Sequence, residues 1–267
     1  MEENKNIEIQ HPEAWELLVA IGNKRVDYIL YAPTVPNSLI VGDVAWPDGT
    51  LQGLEDAIYD TPVLLADYRR VRLLVDSRHF VLFPDDTDDE DCEALLHHAF
   101  PGDDGDVAVC VLPLNGVKIA YLMPKGMQAF LGRTFNYPTT YHHLAPLSEY
   151  LKGQDKDVSG MFLNLQADRM DLVIYRDGAL QCANTYPYTN AEDATYYALS
   201  AGHAHGMDQM EDELQIMGVG EICVAMTLEL RKYVKQVMPA AYPVAAMQLG
   251  RNAMQAPMNL ILQALCE

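Results

Sequence analysis

Serine and cysteine are scarce in this sequence, and neither residue stands in a catalytic or metal-binding motif. The 267 residues include five serines, and a Gly-x-Ser-x-Gly elbow is absent. The sequence therefore offers no nucleophile for a hydrolase of that type. Five scattered cysteines without a Cys-x-x-Cys pair exclude a disulfide framework and a cysteine zinc site. We expect them to be buried structural thiols.

Long apolar runs are also missing. No segment approaches the roughly 20 apolar residues that a bilayer crossing needs. The N-terminal sequence Met-Glu-Glu-Asn-Lys-Asn is polar, unlike a secretory signal. We therefore expect no membrane association and a cytoplasmic location.

Basic residues are few, with 18 Lys and Arg against 38 Asp and Glu and a formal net charge of −20. Binding to a phosphate backbone needs clustered bases, so this balance argues against nucleic-acid partners. Acidic lipid surfaces are disfavoured for the same reason. A basic protein partner stays open, and the charge also serves solubility.

Several clusters of potential metal ligands lack the spacing of a known site. Six of the eight histidines occur as His97-His98, His142-His143 and His203-x-His205, without an Asp or Glu that completes a ligand pattern. The run Asp85–Asp91 does not fit an EF-hand and stands at a predicted helix start, where carboxylates favour the helix dipole. We therefore predict no metal site and no cofactor.

A strand–strand–strand–helix pattern occurs twice in the chain. In the first half it covers Glu16–Gly22, Arg25–Ala32, Ser38–Trp46 and a helix at Thr50–Asp60. In the second half it covers Met161–Gln166, Arg169–Arg176, Ala179–Tyr188 and a helix capped by Thr189 that ends at Gly206.

The two copies share residues at an offset of 144. Arg25 and Asp27 correspond to Arg169 and Asp171, since 169 − 25 and 171 − 27 both equal 144. The pattern indicates an internal duplication. We place the join near residues 152–159, which predicts subdomains at 1–155 and 156–267.

The remaining segments give further predictions. A strand pair is predicted within Val71–Phe83, and strands at Asp106–Pro113 and Val117–Met123. Late in the chain we predict a strand at Glu221–Met226, a helix from Leu228 to Val237 and a last strand at Tyr242–Met247. Gly218-Val-Gly220 then precedes a strand and is interpreted as a turn.

Three segments carry a resemblance to a known family: Val71–Pro84, Met170–Gly178 and Tyr188–Tyr197. Over most of its length the chain resembles an uncharacterised bacterial family, domain of unknown function 3822. The second half is similar in element order to pilus-assembly actin-like proteins. The resemblance implies an α/β fold of two tandem ribonuclease H-like, actin-like ATPase subdomains with mixed sheets flanked by helices. It implies no known activity.

The actin-like fold directs attention to the β1–β2 turn of each half, which in ATP-using members reads roughly Asp-x-Gly-x-Thr. Gly lets the backbone approach the phosphates, and Asp acts through Mg²⁺ or the attacking water. In the first half Gly22 is kept and Ala20 replaces the Asp. In the second half both residues are replaced. The candidate vestigial cleft comprises Gly22, Asn23, Lys24, Asn164, Gln166 and Asp168.

The Gly-Gly that usually admits adenosine is also expected to be missing, because Ala-Met-Thr follows Val224. We therefore expect no ATP binding and no catalytic residue. The favoured hypothesis is a non-catalytic binding or scaffold protein that binds a protein partner or itself through acidic or Met-rich surfaces. Eight of the thirteen methionines fall between Met207 and Met258.

Two alternatives remain open. The first is a small-molecule kinase or slow ATPase with a rearranged cleft, in which Lys24 would meet a phosphate. The second is a small-ligand sensor that keeps the cleft without chemistry. Fold alone does not decide among them.

Overall fold

Strands and helices follow one another along the whole described chain. The computed structural model describes residues 7–166, 169–218 and 220–266. The strands are β1 (Glu16–Ile21), β2 (Arg25–Tyr31), β3 (Ile40–Ala45), β4 (Arg70–Val75), β5 (Phe80–Pro84), β6 (Asp106–Leu112), β7 (Val117–Met123), β8 (Thr139–His142), β9 (Gly160–Leu165), β10 (Arg169–Arg176), β11 (Ala179–Pro187), β12 (Glu213–Met217) and β13 (Gln236–Pro239). The helices are α1 (Leu51–Tyr59), α2 (Asp89–Ala99), α3 (Met127–Thr134), α4 (Ala145–Gln154), α5 (Ala191–Ala204), α6 (Glu221–Leu230), α7 (Ala246–Leu249) and α8 (Met258–Leu265).

The chain forms two compact units. Unit 1 contains the residues up to Pro146 together with those from Pro243 onward, and unit 2 is Leu147–Tyr242. The predicted division between residues 155 and 156 placed the last segment of the chain in the second half. In the structure that segment belongs to unit 1.

The large sheets of the two units have the same strand order. Unit 1 has β3-β2-β1-β4-β8, and unit 2 has β11-β10-β9-β12-β13. In both sheets the first two pairings are antiparallel and the last two parallel. The two units thus share one strand order, in agreement with the duplication, and the mixed α/β fold is confirmed.

The strand registers preserve the offset of 144. Asp27 pairs with Ala20 in the β1–β2 ladder, and Asp171 pairs with Asn164 in the β9–β10 ladder. The differences 171 − 27 and 164 − 20 are both 144. The repeat seen in the sequence therefore marks the same places in the two sheets.

A buried arginine connects the sheet of unit 1 to α8. Every residue of β1 is buried, and α8 packs against this strand. The Arg72 guanidinium donates to Glu16 at 2.9 Å, to the Tyr31 hydroxyl at 2.7 Å and to the carbonyl of Gln263 at 2.8 Å. A buried charge is tolerated when paired and hydrogen-bonded in this way. The contact fixes the last helix over the sheet.

A second, three-stranded sheet in unit 1 has the order β5-β7-β6 and is covered by α2. Two strands form in the region where a strand pair was predicted within Val71–Phe83, but the prediction that they pair with each other is wrong. β4 pairs with β1 and β8, whereas β5 pairs with β7. Two adjacent strands in sequence usually form a hairpin, but here each finds its partner in a different sheet.

In unit 2, α5 packs on the sheet with a core of Ala194, Ala198 and Ala201. The side chain of Asn190 accepts the amide of Asp193 at 2.8 Å and caps the helix. The predicted cap at Thr189 is thus displaced by one residue. Its hydroxyl instead donates to the Asp193 carboxylate.

The predictions for the late part of the chain are wrong. Residues 221–230 form helix α6 rather than a strand, and the strand of this region is β12. Residues 246–249, in the predicted last strand, form α7. The segment 221–230 is apolar on several sides, so a helical period does not stand out and the pattern also fits a buried strand.

Among the residues that the structure describes, none of the helices has both the length and the apolar character needed to span a bilayer.

Candidate functional site

The predicted cleft residues of the first half lie in the tight turn between β1 and β2. The amide of Gly22 donates to the carbonyl of Arg25 at 2.9 Å and closes the turn. Lys24 has a φ of 63°, and its carbonyl accepts the amide of Trp46 at 3.0 Å. The aliphatic part of Lys24 lies beside Gly49. Asn23 and Lys24 are both exposed.

A carboxylate of the same unit lies against Gly22. Asp76 follows β4, and its amide donates to the carbonyl of Ile21 at 3.0 Å. A Cβ added to Gly22 would come within 2.9 Å of the Asp76 Oδ2. The space that a glycine leaves for phosphates in ATP-using members is therefore bordered here by a negative charge.

Two further carboxylates share the sheet face with this turn. Asp27 pairs with Ala20 on one side and with Asp43 on the other, so the side chains point to one face. Arg25 lies 2.8 Å from Asp27 and 3.8 Å from Asp43. Burial raises the pKa of Asp27; Arg25 opposes this effect, and the charges of Asp43 and Asp76 add to it. Arg25 thus forms ion pairs with two carboxylates, those of Asp27 and Asp43.

Next to Asp76 lies a pair of fully buried histidines. The Nδ1 of His143 is 4.0 Å from the Asp76 carboxylate and accepts the amide of Ser77 at 3.4 Å. His142 bonds to the Ser77 carbonyl through Nε2 at 3.0 Å, and its ring lies 4.4 Å from that of Phe80. These rings fill the core of unit 1. Within residues 7–166, 169–218 and 220–266, no group of three His, Cys, Asp or Glu side chains is arranged to hold a metal ion.

The turn between β9 and β10 in unit 2 is closed by the same backbone hydrogen bond, but different side chains lie beside it. The amide of Gln166 donates to the carbonyl of Arg169 at 2.9 Å, 144 residues after the equivalent bond of Gly22. The Tyr188 hydroxyl donates to the Gln166 carbonyl. Gln166 therefore occupies the position of the glycine. Asp168, the remaining predicted cleft residue, lies outside the described residues.

The buried carboxylate of Asp171 is the centre of a polar network behind this turn. It is 1% exposed and accepts hydrogen bonds from Asn164 at 3.3 Å, Gln166 at 3.0 Å and the Thr185 hydroxyl at 3.1 Å. The Arg169 Nε lies 3.4 Å from the Asp171 Oδ1, the oxygen that also accepts from Thr185. Two predicted cleft residues thus bind a carboxylate of their own unit.

A glycine-containing loop lies beside this turn, and here the sequence interpretation was wrong. Gly218 and Gly220 do not precede a strand; they connect β12 to α6. Gly218 has a φ of 134°, and a Cβ there would approach the Leu165 carbonyl oxygen to 3.0 Å. Gly220, with a φ of 89°, is the N-terminal cap residue of α6. A strand–Gly-x-Gly–helix connection is the arrangement that exposes helix amides to anions.

Sequence reasoning found the turns but missed Asp76 and Asp171 as the groups that line them. The signal was present in the repeated Arg-x-Asp of β2 and β10, since each Asp lies directly opposite the residue that replaces the usual catalytic Asp. Nothing local to Asp76 marks it, because its position depends on the parallel pairing of β1 with β4.

Comparisons with known proteins agree on the fold. A family model described as protein of unknown function (DUF3822) matches residues 4–237. A crystal structure from Bacteroides thetaiotaomicron, described as having an actin-like ATPase fold and unknown function, is similar with a TM-score of 0.79 and 21% identity. The match covers 96% of this chain and 97% of that one.

Two structures of named systems are similar at lower identity. The PilM-PilN type IV pilus biogenesis complex gives a TM-score of 0.60 and 12% identity, covering 95% of this chain and 99% of that one. The cytoplasmic domain of EpsL, an inner membrane component of the type II secretion system of Vibrio cholerae, gives 0.50 and 14%, covering 95% and 96%. No curated protein matches the sequence. At these identities the likeness establishes the actin-like fold and nothing further.

Proposed function

The chain belongs to the DUF3822 family of unknown function, and from this premise we propose that it is a non-catalytic binding protein built on the actin-like fold. Its role would be to hold a protein partner, or a second copy of itself, rather than to hydrolyse ATP. This proposal rests on the Asp171 network, in which the side chains behind the β9–β10 turn are hydrogen-bonded to one buried carboxylate.

That network argues against a phosphate at the turn for a physical reason. A triphosphate needs donors and a metal, but the amides of Asn164 and Gln166 already donate to the buried Asp171 carboxylate. Arg169 is held by the same carboxylate. Releasing these donors would leave a buried charge without partners, which is costly.

The turn of unit 1 supports the same conclusion through its charge. Asp76 lies against Gly22, and Asp27 and Asp43 occupy the adjacent sheet face. A phosphate placed there would meet three carboxylates at short range, with a formal charge of −20 on the whole chain. These groups raise the cost of binding ATP without a metal.

The known systems with this fold support a role in assemblies. The structure of the PilM-PilN complex contains two proteins in one assembly, and EpsL is a component of a secretion system. The acidic composition disfavours nucleic acid and anionic lipid as partners and favours a basic protein surface. The cytoplasmic location stays a prediction.

The experiment is a calorimetric titration of the purified chain with ATP and Mg²⁺, together with a phosphate-release assay. We expect no heat of binding up to about 1 mM nucleotide, a range in which even weak complexes are seen. We also expect no phosphate release above the protein-free rate. Stoichiometric turnover would overturn the proposal.

One observation favours the second candidate, a nucleotide-binding kinase or slow ATPase. Gly218 and Gly220 form a connection between β12 and α6 that could admit a nucleotide. If ATP binds, Gly220→Val should abolish the heat by covering the helix start, and Lys24→Ala and Asp168→Ala should weaken it. If all three variants bind like the unchanged chain, this candidate has no support left.

A further inference from the structure

The acidic surface of unit 2 contains an apolar groove that the turns do not involve. It has a volume of about 410 Å³ and lies between α5, the segment 207–210 and the start of β12. Apolar side chains and helix backbone supply most of its lining. The central residues are Met161, Leu199, Gly202, Met207, Met210 and Leu214.

Three methionines line this groove from its floor to its rim. Met161 is 1% exposed, Met207 is half-buried and Met210 is 56% exposed. Gly202 keeps the floor open, since a Cβ there would come within 3.0 Å of the Met161 Cε and 3.4 Å of the Met207 Sδ. Unbranched, polarisable methionine side chains adapt to varied apolar partners, as in grooves that accept amphipathic helices.

The acidic segment 208–213 forms the rim of the groove: Asp208 lines it, and the other three acids lie in the chain between the lining residues Met210 and Leu214. Asp208 and Glu211 are exposed, and Asp212 and Glu213 follow at half-buried positions. In the part of the chain that the structure describes, none of these four carboxylates forms an ion pair. Asp208 accepts the amide of Met210 at 2.8 Å, and Asp212 accepts the amide of Asp208 at 2.8 Å, so the segment is held in shape by its own carboxylates.

Basic groups near the groove are fewer than the acids. His203 lines it, the exposed Lys235 donates its backbone amide to the Gln209 carbonyl, and the Arg176 guanidinium donates to the Gly206 carbonyl at 2.7 Å. The four carboxylates therefore leave a local excess of negative charge. The formal charge of −20 on the chain adds a long-range attraction for cations, which speeds encounter with a basic partner.

We propose that this groove binds a basic amphipathic segment of a partner protein, with apolar side chains on the methionines and Lys or Arg against the acidic rim. The inference rests on the proposed binding function and adds the partner's chemistry. An apolar centre with a charged rim is the usual build of a protein interface. A second copy of this acidic chain would lack the matching charge.

The test uses the full chain and a fluorescein-labelled peptide of Leu and Lys, about 18 residues long, with leucine on one helical face. We expect binding at micromolar strength by fluorescence anisotropy. A peptide with Glu in place of Lys should not bind. Met210→Asp should weaken binding about tenfold or more, as expected for loss of an apolar anchor.

Two double variants with the same change in net charge distinguish the effect of the rim carboxylates from the effect of the overall charge of the chain. Asp208→Asn with Glu211→Gln and Asp85→Asn with Asp86→Asn each change the formal charge from −20 to −18. The first pair should weaken the Leu/Lys peptide about tenfold at low salt, and the second should leave it nearly unchanged. An equal loss of peptide affinity in both double variants would overturn the groove assignment. So would a peptide affinity that is unchanged by Met210→Asp.

The outcome is independent of the test for the proposed function. Peptide binding at the groove with ATP turnover elsewhere would reject the non-catalytic proposal and keep this one. An absence of both peptide binding and turnover would reject the groove and keep the non-catalytic proposal. Circular dichroism of each variant checks that its fold is retained.

Discussion

Asn164 lies directly opposite Asp171 in the β9–β10 ladder and donates a hydrogen bond of 3.3 Å to its carboxylate. In ATP-using members of this fold the position of Asn164 carries an Asp. Here the carboxylate is instead that of Asp171 on the neighbouring strand, where it is buried and accepts several hydrogen bonds. The equivalent pair in unit 1 is Ala20 and Asp27.

The two halves allow a matched stability experiment. Asp171→Asn removes the charge partner of Arg169 at a site where both side chains are nearly fully buried, so we expect a loss of about 3 kcal/mol in unfolding free energy. Asp27→Asn removes the partner of Arg25, which is half exposed, and should cost less than about 1 kcal/mol. Urea unfolding of the two variants measures the difference. Equal losses would contradict the assigned difference in burial.

Asp27 should also give a defined pH dependence. Its pKa in the folded chain is raised above the ordinary 3.8, mainly by burial. The folded state therefore binds more protons than the unfolded state between the two values, and stability from this group falls as pH rises through the folded pKa. The contribution is fully present below about 3.8.

The measurement is the unfolding free energy of the unchanged chain minus that of Asp27→Asn, from about pH 3 to pH 7. We expect this difference to decrease as pH rises through the raised pKa and then to level off. A difference that increases over the same window would mean that the Arg25 ion pair outweighs burial at this carboxyl.

Gly22 and Asp76 should be energetically coupled. Gly22→Ala places a methyl group 2.9 Å from the present position of the Asp76 Oδ2, so one of the two must shift. We expect Gly22→Ala to cost about 1 kcal/mol in the unchanged chain and much less in an Asp76→Ala background. A double-mutant cycle by urea unfolding gives the coupling. Additive effects would show that the carboxylate does not restrict this position.

The cap of α5 gives a local prediction. Asn190→Ala removes the side chain that accepts the amide of Asp193 and should cost about 1 kcal/mol. Glu192→Ala, at the position that a capping box from Thr189 would have used, should cost less than about 0.5 kcal/mol. Thermal unfolding of both variants distinguishes the structural cap from the predicted one.

The sequence predicted the repeated part of the fold well because its signals are local. The alternating residues in β2 and β10 and the Asp177-Gly178 turn each depend on a few neighbouring residues, and the offset of 144 shows that the same local pattern occurs twice. They were sufficient to predict the first three strands and the following helix of each half. The resemblance to the actin-like fold supplied the remaining topology.

The errors arose where long-range pairing decides the structure. The segment 221–230 is apolar enough to fit either a buried strand or a helix, and only packing against α5 and β12 makes it a helix. Because of that error, the late strand was predicted at the wrong residues. The strand–Gly-x-Gly–helix connection at Gly218 and Gly220 was therefore missed. Asp76 was missed because its proximity to Gly22 depends on the β1–β4 pairing.

The position of α8 has a consequence for how the protein folds during its synthesis. This helix packs against β1 in unit 1, yet its residues follow Tyr242, the last residue of unit 2. On the ribosome, all of unit 2 therefore emerges before the first sheet can receive its covering helix. Until then the apolar residues of β1 lack their covering helix, and Arg72 has Glu16 and Tyr31 as partners but not the Gln263 carbonyl. The nascent chain therefore presents a surface on which chaperones act.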